Sequence, residues 1–510
     1  MLLCGVNVAL QALHFVHMLQ LSGYSNRSYI GWCRSHEREV LPNARFLALL
    51  TLALMLVLFE RPWATWIAVG GVALSCLLSL PKKAKKPLRF TWRVRRLFLT
   101  FGILAAAALV GIYFLPVHMA AVALLLLLLL TVLLVPLCNG INAPIERAIA
   151  RHFVNDAKRL LREQPKLLVI GITGSYGKTS TKTFLHDLLS VQYNVLATPE
   201  SYNTTMGVVR TIREQLKPSH EVFLCEMGAR GVGEIREICD IVHPTIGILT
   251  SIGEQHLETF HTVENIIKTK FELADALPAD GRVFLNVDNP YIAGRPVTNT
   301  QVTTYGTAVD SAADYRACDI AVDGSGCSFT VVAPDGTRGR FVTRLLGAHN
   351  VQNLTGCIAL AHMLGIPMEK LAYPVRLLRP AKHRLELLPN GYIDDAYNSN
   401  PAGFRSALDV LAGFEGERVL VTPGMVELGE RQDALNEELG AYAAGKCDYV
   451  VLVGQRQAPP LKRGLLGAGF PEEQIFVCDT LQQGLDHLNG RPAAGKRTVL
   501  LENDLPDNYT

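Results

Sequence analysis

The ten residues Gly171-Ile172-Thr173-Gly174-Ser175-Tyr176-Gly177-Lys178-Thr179-Ser180 have the types and spacing of a phosphate cradle. Glycines let backbone N–H groups close around phosphate oxygens at a helix N-terminus, where the helix dipole favours negative charge. In that setting Lys178 reaches the terminal phosphates of a nucleotide and the Thr179 hydroxyl ligates Mg²⁺, while Gly174, Ser175, Tyr176, Gly177 and Ser180 complete the loop. The fit to GxxxxGK[ST] is imperfect, because Ile172 stands where the first glycine belongs.

A cradle of this kind needs a strand that ends before it and a helix that starts on it. Leu167–Ile172 is a short aliphatic and β-branched run, and Thr179–Leu189 continues with apolar residues at helical spacing. Further buried-strand candidates are Val222–Cys225, Ile246–Thr250, Val283–Asn286, Arg418–Thr422, Tyr449–Val453 and Thr498–Leu501. Strands alternating with helices predict an α/β architecture of parallel, doubly wound sheets. Two sheets are expected, because a polar, glycine-rich stretch near residues 300–345 and the region of Pro380 interrupt the rhythm.

The first part of the chain is different in kind. Residues 1–140 hold 13 Lys/Arg against 3 Asp/Glu, whereas the other 370 hold 36 against 43. The apolar runs Phe46–Phe59, Trp63–Leu80, Leu97–Leu115 and Met119–Cys138 read as two transmembrane hairpins, the second broken at Pro116. A basic connection from Lys82 to Arg96 places the intervening loop, and everything after Glu146, on the cytoplasmic side. Residues 1–21 carry a softer stripe of Asn7, Gln11, His14 and Met18, read as an interfacial helix or one packed against the bundle. The expected organisation is therefore a membrane region over 1–144, a nucleotide-binding domain over 145–379 and a second α/β domain over 380–510. The expected localisation is the cell membrane, multi-pass, with the soluble domains cytoplasmic and membrane lipid as a partner. With 49% hydrophobic and 19% charged residues the chain is neither disordered nor coiled-coil, and 11 cysteines without a CxxC pair argue against a disulfide scaffold. An acidic soluble part excludes nucleic acid as a partner.

Six segments beyond the phosphate loop carry a resemblance. With TGSYGKTS, they are Glu226-Met227-Gly228-Ala229, Ile252-Gly253-Glu254-Gln255-His256-Leu257, Ile267-Lys268-Thr269-Lys270-Phe271-Glu272, His349-Asn350-Val351-Gln352-Asn353, Lys382-His383-Arg384-Leu385-Glu386 and Asp394-Asp395-Ala396-Tyr397-Asn398-Ser399-Asn400-Pro401. In this order they resemble the Mur ligase family, and the first and last of the six resemble its D-alanyl-D-alanine-adding branch. The resemblance implies a P-loop Mur-ligase central domain followed by a Rossmann-like C-terminal ligase domain. It implies that Glu226, His256, Thr179 and a carbamylated Lys270 hold metal, that Asn350 and Asn353 contact adenine, and that Arg384 and Asp395 complete the ATP site. Taken singly, Glu226 is a charge at a strand end, His256 a helix cap and Lys270 a solvated helix residue.

The implied reaction is ATP-dependent amide formation, in which a carboxylate becomes an acyl phosphate that an amine then attacks. Lys178, Lys270, His256 and Arg384 are its expected catalytic residues, with ATP and Mg²⁺ as cofactors. A muramoyl-peptide-like carboxylate and an amino acid or dipeptide such as D-alanyl-D-alanine are the expected substrates. Alternatives are a ligase for a lipid-linked precursor or amino-acid polymer, and a membrane scaffold that binds ATP without ligation. Four departures mark this chain. No segment in 1–164 resembles the family's UDP-binding domain; His383 replaces a glycine beside Arg384; Gly424 replaces an aspartate ahead of Glu427-Leu428-Gly429; and Glu502 stands where relatives carry a basic KGSR-like segment.

Overall fold

Uninterrupted apolar sequence makes helices in the first part of the chain, and short β-branched runs make strands in the rest. The computed structural model describes residues 2–36, 40, 43–57, 62–80, 86–200, 202–254, 257–397, 400–426, 428–492 and 495–504. His256, Asn398, Ser399 and Glu427 thus lie outside the described residues, as do Lys82, Lys83 and Lys85 of the basic connection. The chain divides into two compact units, Met1–Arg151 and His152–Leu505.

In the first unit the described helices are α1 (Leu2–Leu21), α2 (Asn26–Ser35), α3 (Asn43–Val57), α4 (Pro62–Leu78), α5 (Trp92–Tyr113) and α6 (Val117–Arg162), the last running on into the second unit. The polar stripe of α1 is turned inward. Asn7 Nδ2 donates to Ser75 Oγ at 2.8 Å, and Gln11 Nε2 donates to Asn7 Oδ1 at 2.6 Å. Buried amides require such partners. The fourth apolar run and the segment after it form one helix, α6, even though Pro136 and Pro144 lie inside it. Pro136 cannot donate to the carbonyl of Val132. The Tyr29 hydroxyl donates to that carbonyl instead, at 2.9 Å.

The second unit holds two sheets. The first has nine strands: β1 (Leu168–Thr173), β2 (Val195–Ala197), β3 (Val222–Glu226), β4 (Ile246–Leu249), β5 (Arg282–Asn286), β6 (Gln301–Gly306), β7 (Tyr315–Asp323), β8 (Gly326–Val332) and β9 (Arg338–Thr343). Their order is β2-β3-β1-β4-β5-β6-β7-β8-β9, parallel through β7 and antiparallel among β7, β8 and β9. The stretch near 300–345 therefore extends the first sheet, whereas the sequence placed a break there. Its strands alternate buried with exposed residues, so no continuous apolar run announces them.

Both faces of the parallel part are covered. Ile170, Ile172, Leu224 and Ile248 pack with α7 (Lys178–Leu189), while Val169, Phe223 and Leu249 pack with α8 (Thr205–Gln215), α9 (Glu234–Val242) and α10 (Val263–Ala276). Helix α11 (Ala348–Met363) closes the first of these faces. The second sheet comprises β10 (Glu386–Leu387), β11 (Tyr392–Asp395), β12 (Glu417–Thr422), β13 (Tyr449–Val453), β14 (Ile475–Cys478) and β15 (Arg497–Glu502). Its order is β10-β11-β15-β12-β13-β14, parallel apart from β10. Helices α12 (Pro401–Ala412) and α13 (Gln432–Ala443) pack against one face.

Candidate active site

Strand order places the site. β1 lies between β3 and β4, so the segments leaving all three carboxyl ends open into one crevice, where ligands of open α/β sheets bind. The phosphate loop leaves β1, Glu226 ends β3 and Thr250–Glu254 leave β4.

The loop is laced to its neighbour. Tyr176 N–H donates to Ser251 Oγ at 3.3 Å, and its hydroxyl donates to the Glu254 carbonyl at 3.0 Å. Ser175 Oγ donates to the Gly253 carbonyl and accepts from the Gly253 N–H, both at 3.1 Å. Thr250 Oγ1 donates to the Tyr176 carbonyl. Gly177 turns the chain into α7 at φ +78°, and a Cβ there would meet Asn353 Oδ1 at 2.7 Å. Asn353 therefore sits against the loop, while Asn350 Nδ2 donates to the Leu346 carbonyl at 2.8 Å. Ser180 follows on the first turn of α7.

Lys178 folds back over the cradle, donating to the carbonyls of Gly174 at 2.7 Å and Ser175 at 3.0 Å. Burial lowers its ammonium to about 8 against the pull of Glu226, with Arg384 pushing the same way as burial. The Glu226 carboxylate accepts from Thr179 Oγ1 at 3.1 Å and Asn203 Nδ2 at 3.0 Å on one oxygen, and faces Lys182 Nζ at 2.9 Å on the other. Burial would raise its carboxyl, but Lys182 and Lys178 outweigh burial and hold it below the usual range.

Lys270 is brought in by the buried face of α10, together with Ile266, Phe271 and Ala274. Thr262 caps that helix by accepting from the Asn265 N–H at 3.2 Å. Burial, then the charge of Lys178, lowers the Lys270 amine to about 7. Sequence alone makes it a solvated helix residue; at 3% exposed it is nothing of the kind. Arg384 enters from the other domain, its guanidinium 4.6 Å over the Tyr397 ring. Both its neighbours are left-handed, His383 at φ +59° and Leu385 at φ +47°. Each is held by β11: His383 Nδ1 lies 2.7 Å from Asp394 Oδ2, and Leu385 N–H donates to Asp395 Oδ1 at 3.1 Å. A glycine would fit the first of these positions without strain. Burial raises Asp395 to about 6 against Arg384 and a hydrogen bond with Glu502, its register partner on β15.

The structure thus brings Lys178, Thr179, Glu226, Lys270 and Arg384 into one electrostatic neighbourhood. Burial and the charge of Arg384 depress Lys178, and burial and the charge of Lys178 depress Lys270, an excess of positive charge that a polyphosphate would offset. Among the described residues no group of three or more His, Cys, Asp or Glu gathers as a metal cluster, and His256 lies outside them. Sequence reasoning missed Lys182 and Asn203. Lys182 had a signal, since it follows Lys178 by four residues on one helix face; Asn203 had none, because its place depends on tertiary contacts.

Known proteins resemble this chain in sequence and in fold. The family model for the Mur ligase middle domain matches residues 172–361, and that for the Mur ligase glutamate ligase domain matches 383–501. UDP-N-acetylmuramoyl-tripeptide–D-alanyl-D-alanine ligase of Escherichia coli (strain K12) is 31% identical over 324 residues, 62% of this chain and 71% of the relative. The enzyme of the same name from Bacillus subtilis (strain 168) is 32% identical over 294 residues, 56% of this chain. The chain spans 63% of the length of that relative, less than two thirds. A crystal structure of MurF from Acinetobacter baumannii superposes with a TM-score of 0.63 at 27% identity, covering 69% of this chain and 77% of that one.

These relatives correct one expectation. They are soluble cytoplasmic enzymes, which overturns the multi-pass membrane localisation read from the sequence. Helices Leu2–Leu21, Trp92–Tyr113 and Val117–Arg162 are long and apolar enough to cross a bilayer by length and composition only. The comparisons give no support to membrane lipid as a partner.

Proposed function

We propose that this chain, which belongs to the Mur ligase family, is an ATP-dependent ligase that forms an amide bond in the synthesis of a cell-wall peptide precursor. The carboxylate substrate is a muramoyl peptide, and the amine is D-alanyl-D-alanine or a similar amino acid or dipeptide. The observation that carries the reading is the gathering of Lys178, Glu226, Lys270 and Arg384 around one phosphate loop, on the fold of the D-alanyl-D-alanine-adding relatives.

In this reading a carboxylate oxygen of the peptide attacks the γ-phosphorus of ATP and ADP leaves, giving an acyl phosphate. The amine then attacks the acyl carbon, phosphate departs and the nitrogen gives up a proton. Such transfers need positioning and charge stabilisation more than covalent catalysis. Lys178 gives up its loop carbonyls to meet the phosphates, the backbone N–H groups around Gly174 and Gly177 cradle them, and Arg384 closes over them from the second domain. Thr179, Glu226, His256 and Lys270 as its carbamate would hold Mg²⁺, which supplies positive charge to the crowded phosphate oxygens. The donor set fits: Glu226 is held ionised, and the Lys270 amine near 7 has the neutral form that combines with carbon dioxide.

The test is ADP release by the purified protein across UDP-linked muramoyl peptides, paired in turn with D-alanyl-D-alanine, other dipeptides and single amino acids. ADP should appear only when an acid and an amine are both present, in step with amide product. Absence of ADP release with every pair, or release without product, would remove the ligase reading.

A further inference from the structure

Lys182 has no part in the chemistry set out above, yet it is among the most deeply placed charges at the site, 4% exposed. It lies on α7 one turn beyond Lys178. Its Nζ stands 2.9 Å from Glu226 Oε2 and donates to the Glu200 carbonyl at 2.5 Å. A buried ammonium persists only when paired and hydrogen-bonded, and these two partners belong to different walls of the crevice. Glu226 ends β3, whereas Glu200 belongs to the segment 198–204 that follows β2, in which Ser201 lies outside the described residues.

That segment converges on the same carboxylate residue. Thr198 Oγ1 accepts from the Glu226 N–H at 3.2 Å, and Asn203 Nδ2 donates to Glu226 Oε1 at 3.0 Å. The Asn203 carbonyl accepts from Gly228 N–H at 2.7 Å, just past the end of β3. Between these two anchors Glu200 is left-handed at φ +43°. A residue with a side chain keeps that conformation when its surroundings over-determine it, and Lys182 grips the carbonyl of this very residue.

We propose that Lys182 is a positioning residue that ties the 198–204 segment to the Glu226 carboxylate, so that carboxylate orientation and segment order depend on each other. Lys182 acts through Glu226 and touches no reacting atom. The proposal rests on the ligase reading only for its magnesium arm.

The experiment compares the full chain with Lys182→Met and Lys182→Arg. Amide hydrogen exchange in the absence of ligand should rise at least tenfold within 198–204 in Lys182→Met, with α11 and β5 unchanged, and should return toward the parent rate in Lys182→Arg. Glu226→Gln should loosen the same segment. ADP affinity measured in a metal chelator should stay within twofold of the parent, while the gain in affinity on adding Mg²⁺ should shrink about tenfold in Lys182→Met. Unchanged exchange in 198–204, or a rise spread equally over the whole unit with a matching fall in melting temperature, would overturn the tether. A full magnesium gain beside a loosened segment would overturn the link to Glu226. Should the parent chain itself show no magnesium gain, the metal reading fails, and the exchange result alone still decides the tether.

Discussion

Two lysines carry the most specific expectations, and they differ in what they need. Lys178 is held by loop carbonyls that are poor substitutes for a phosphate, so its replacement removes a charge and leaves the loop's own hydrogen bonds to 250–254 in place. Lys178→Ala should cut ATP turnover by on the order of 100-fold or more while the melting temperature stays near that of the parent. A collapse of the melting temperature in the same protein would show a structural role instead. Lys270 works in the reading above through a carbamate, which forms from the neutral amine. An ordinary lysine has almost none of that form at pH 7, but with its amine near 7 about half is neutral there. Protonation wins as the pH falls, so ligase activity should fall through about pH 7, and removal of carbon dioxide and bicarbonate should lower it further. In Lys270→Ala, short carboxylic acids added to the buffer should restore part of the activity. Normal turnover of Lys270→Ala without any additive would show that the carbamate is not needed.

At the scale of elements, the strand–loop–helix unit depends on Gly177. At φ +78° an L-residue is strained by about 1–2 kcal/mol, and an added Cβ would lie 2.7 Å from Asn353 Oδ1. Gly177→Ala should therefore weaken nucleotide binding by roughly tenfold, read by calorimetry, with the overall secondary-structure content unchanged by circular dichroism. Wild-type affinity would mean that the loop has room the structure denies it. This element was legible in the sequence because loop chemistry is local: glycines, Lys178 and Thr179 are adjacent, and β1 is a continuous apolar run. Strands β3, β4, β5, β12, β13 and β15 were legible for the same reason, since parallel strands buried on both faces cannot alternate. The strands β7 to β9 were not, for the opposite reason. Helix α6 escaped as well, because its continuity through Pro136 rests on a hydroxyl from Tyr29, 107 residues away in sequence. Sequence also could not show what the backbone requires at Gly424. There φ is +76°, and a Cβ would meet Gln457 Cβ at 2.6 Å.

At the scale of the whole molecule, the question is where the ligase unit begins. His152–Leu505 is a compact unit separate from what precedes it, and the matched family regions all lie after residue 171. The last turns of α6 nevertheless belong to the ligase unit's own core. Ala157 is fully buried there, and Phe153, Val154, Leu160 and Leu161 pack around it. Arg213 on α8 bonds Asp156 at 2.7 Å and lies 4.2 Å over the Phe153 ring, fastening the helix from outside. Each partly buried apolar side chain is worth on the order of 1 kcal/mol, so these turns contribute about 5 kcal/mol, as much as the entire stability of many domains. Two shortened chains separate the contributions. One beginning at Ile145 retains these contacts and should unfold in a single cooperative transition, with ADP affinity close to that of the full chain. One beginning at Leu167 keeps every motif residue yet exposes the apolar face over Val169 and Phe223. It should melt at least 10 °C lower or fail to fold. Equal stability of the two would mean that α6 only leads into the ligase unit, and that the core under β1 and β3 is complete without it.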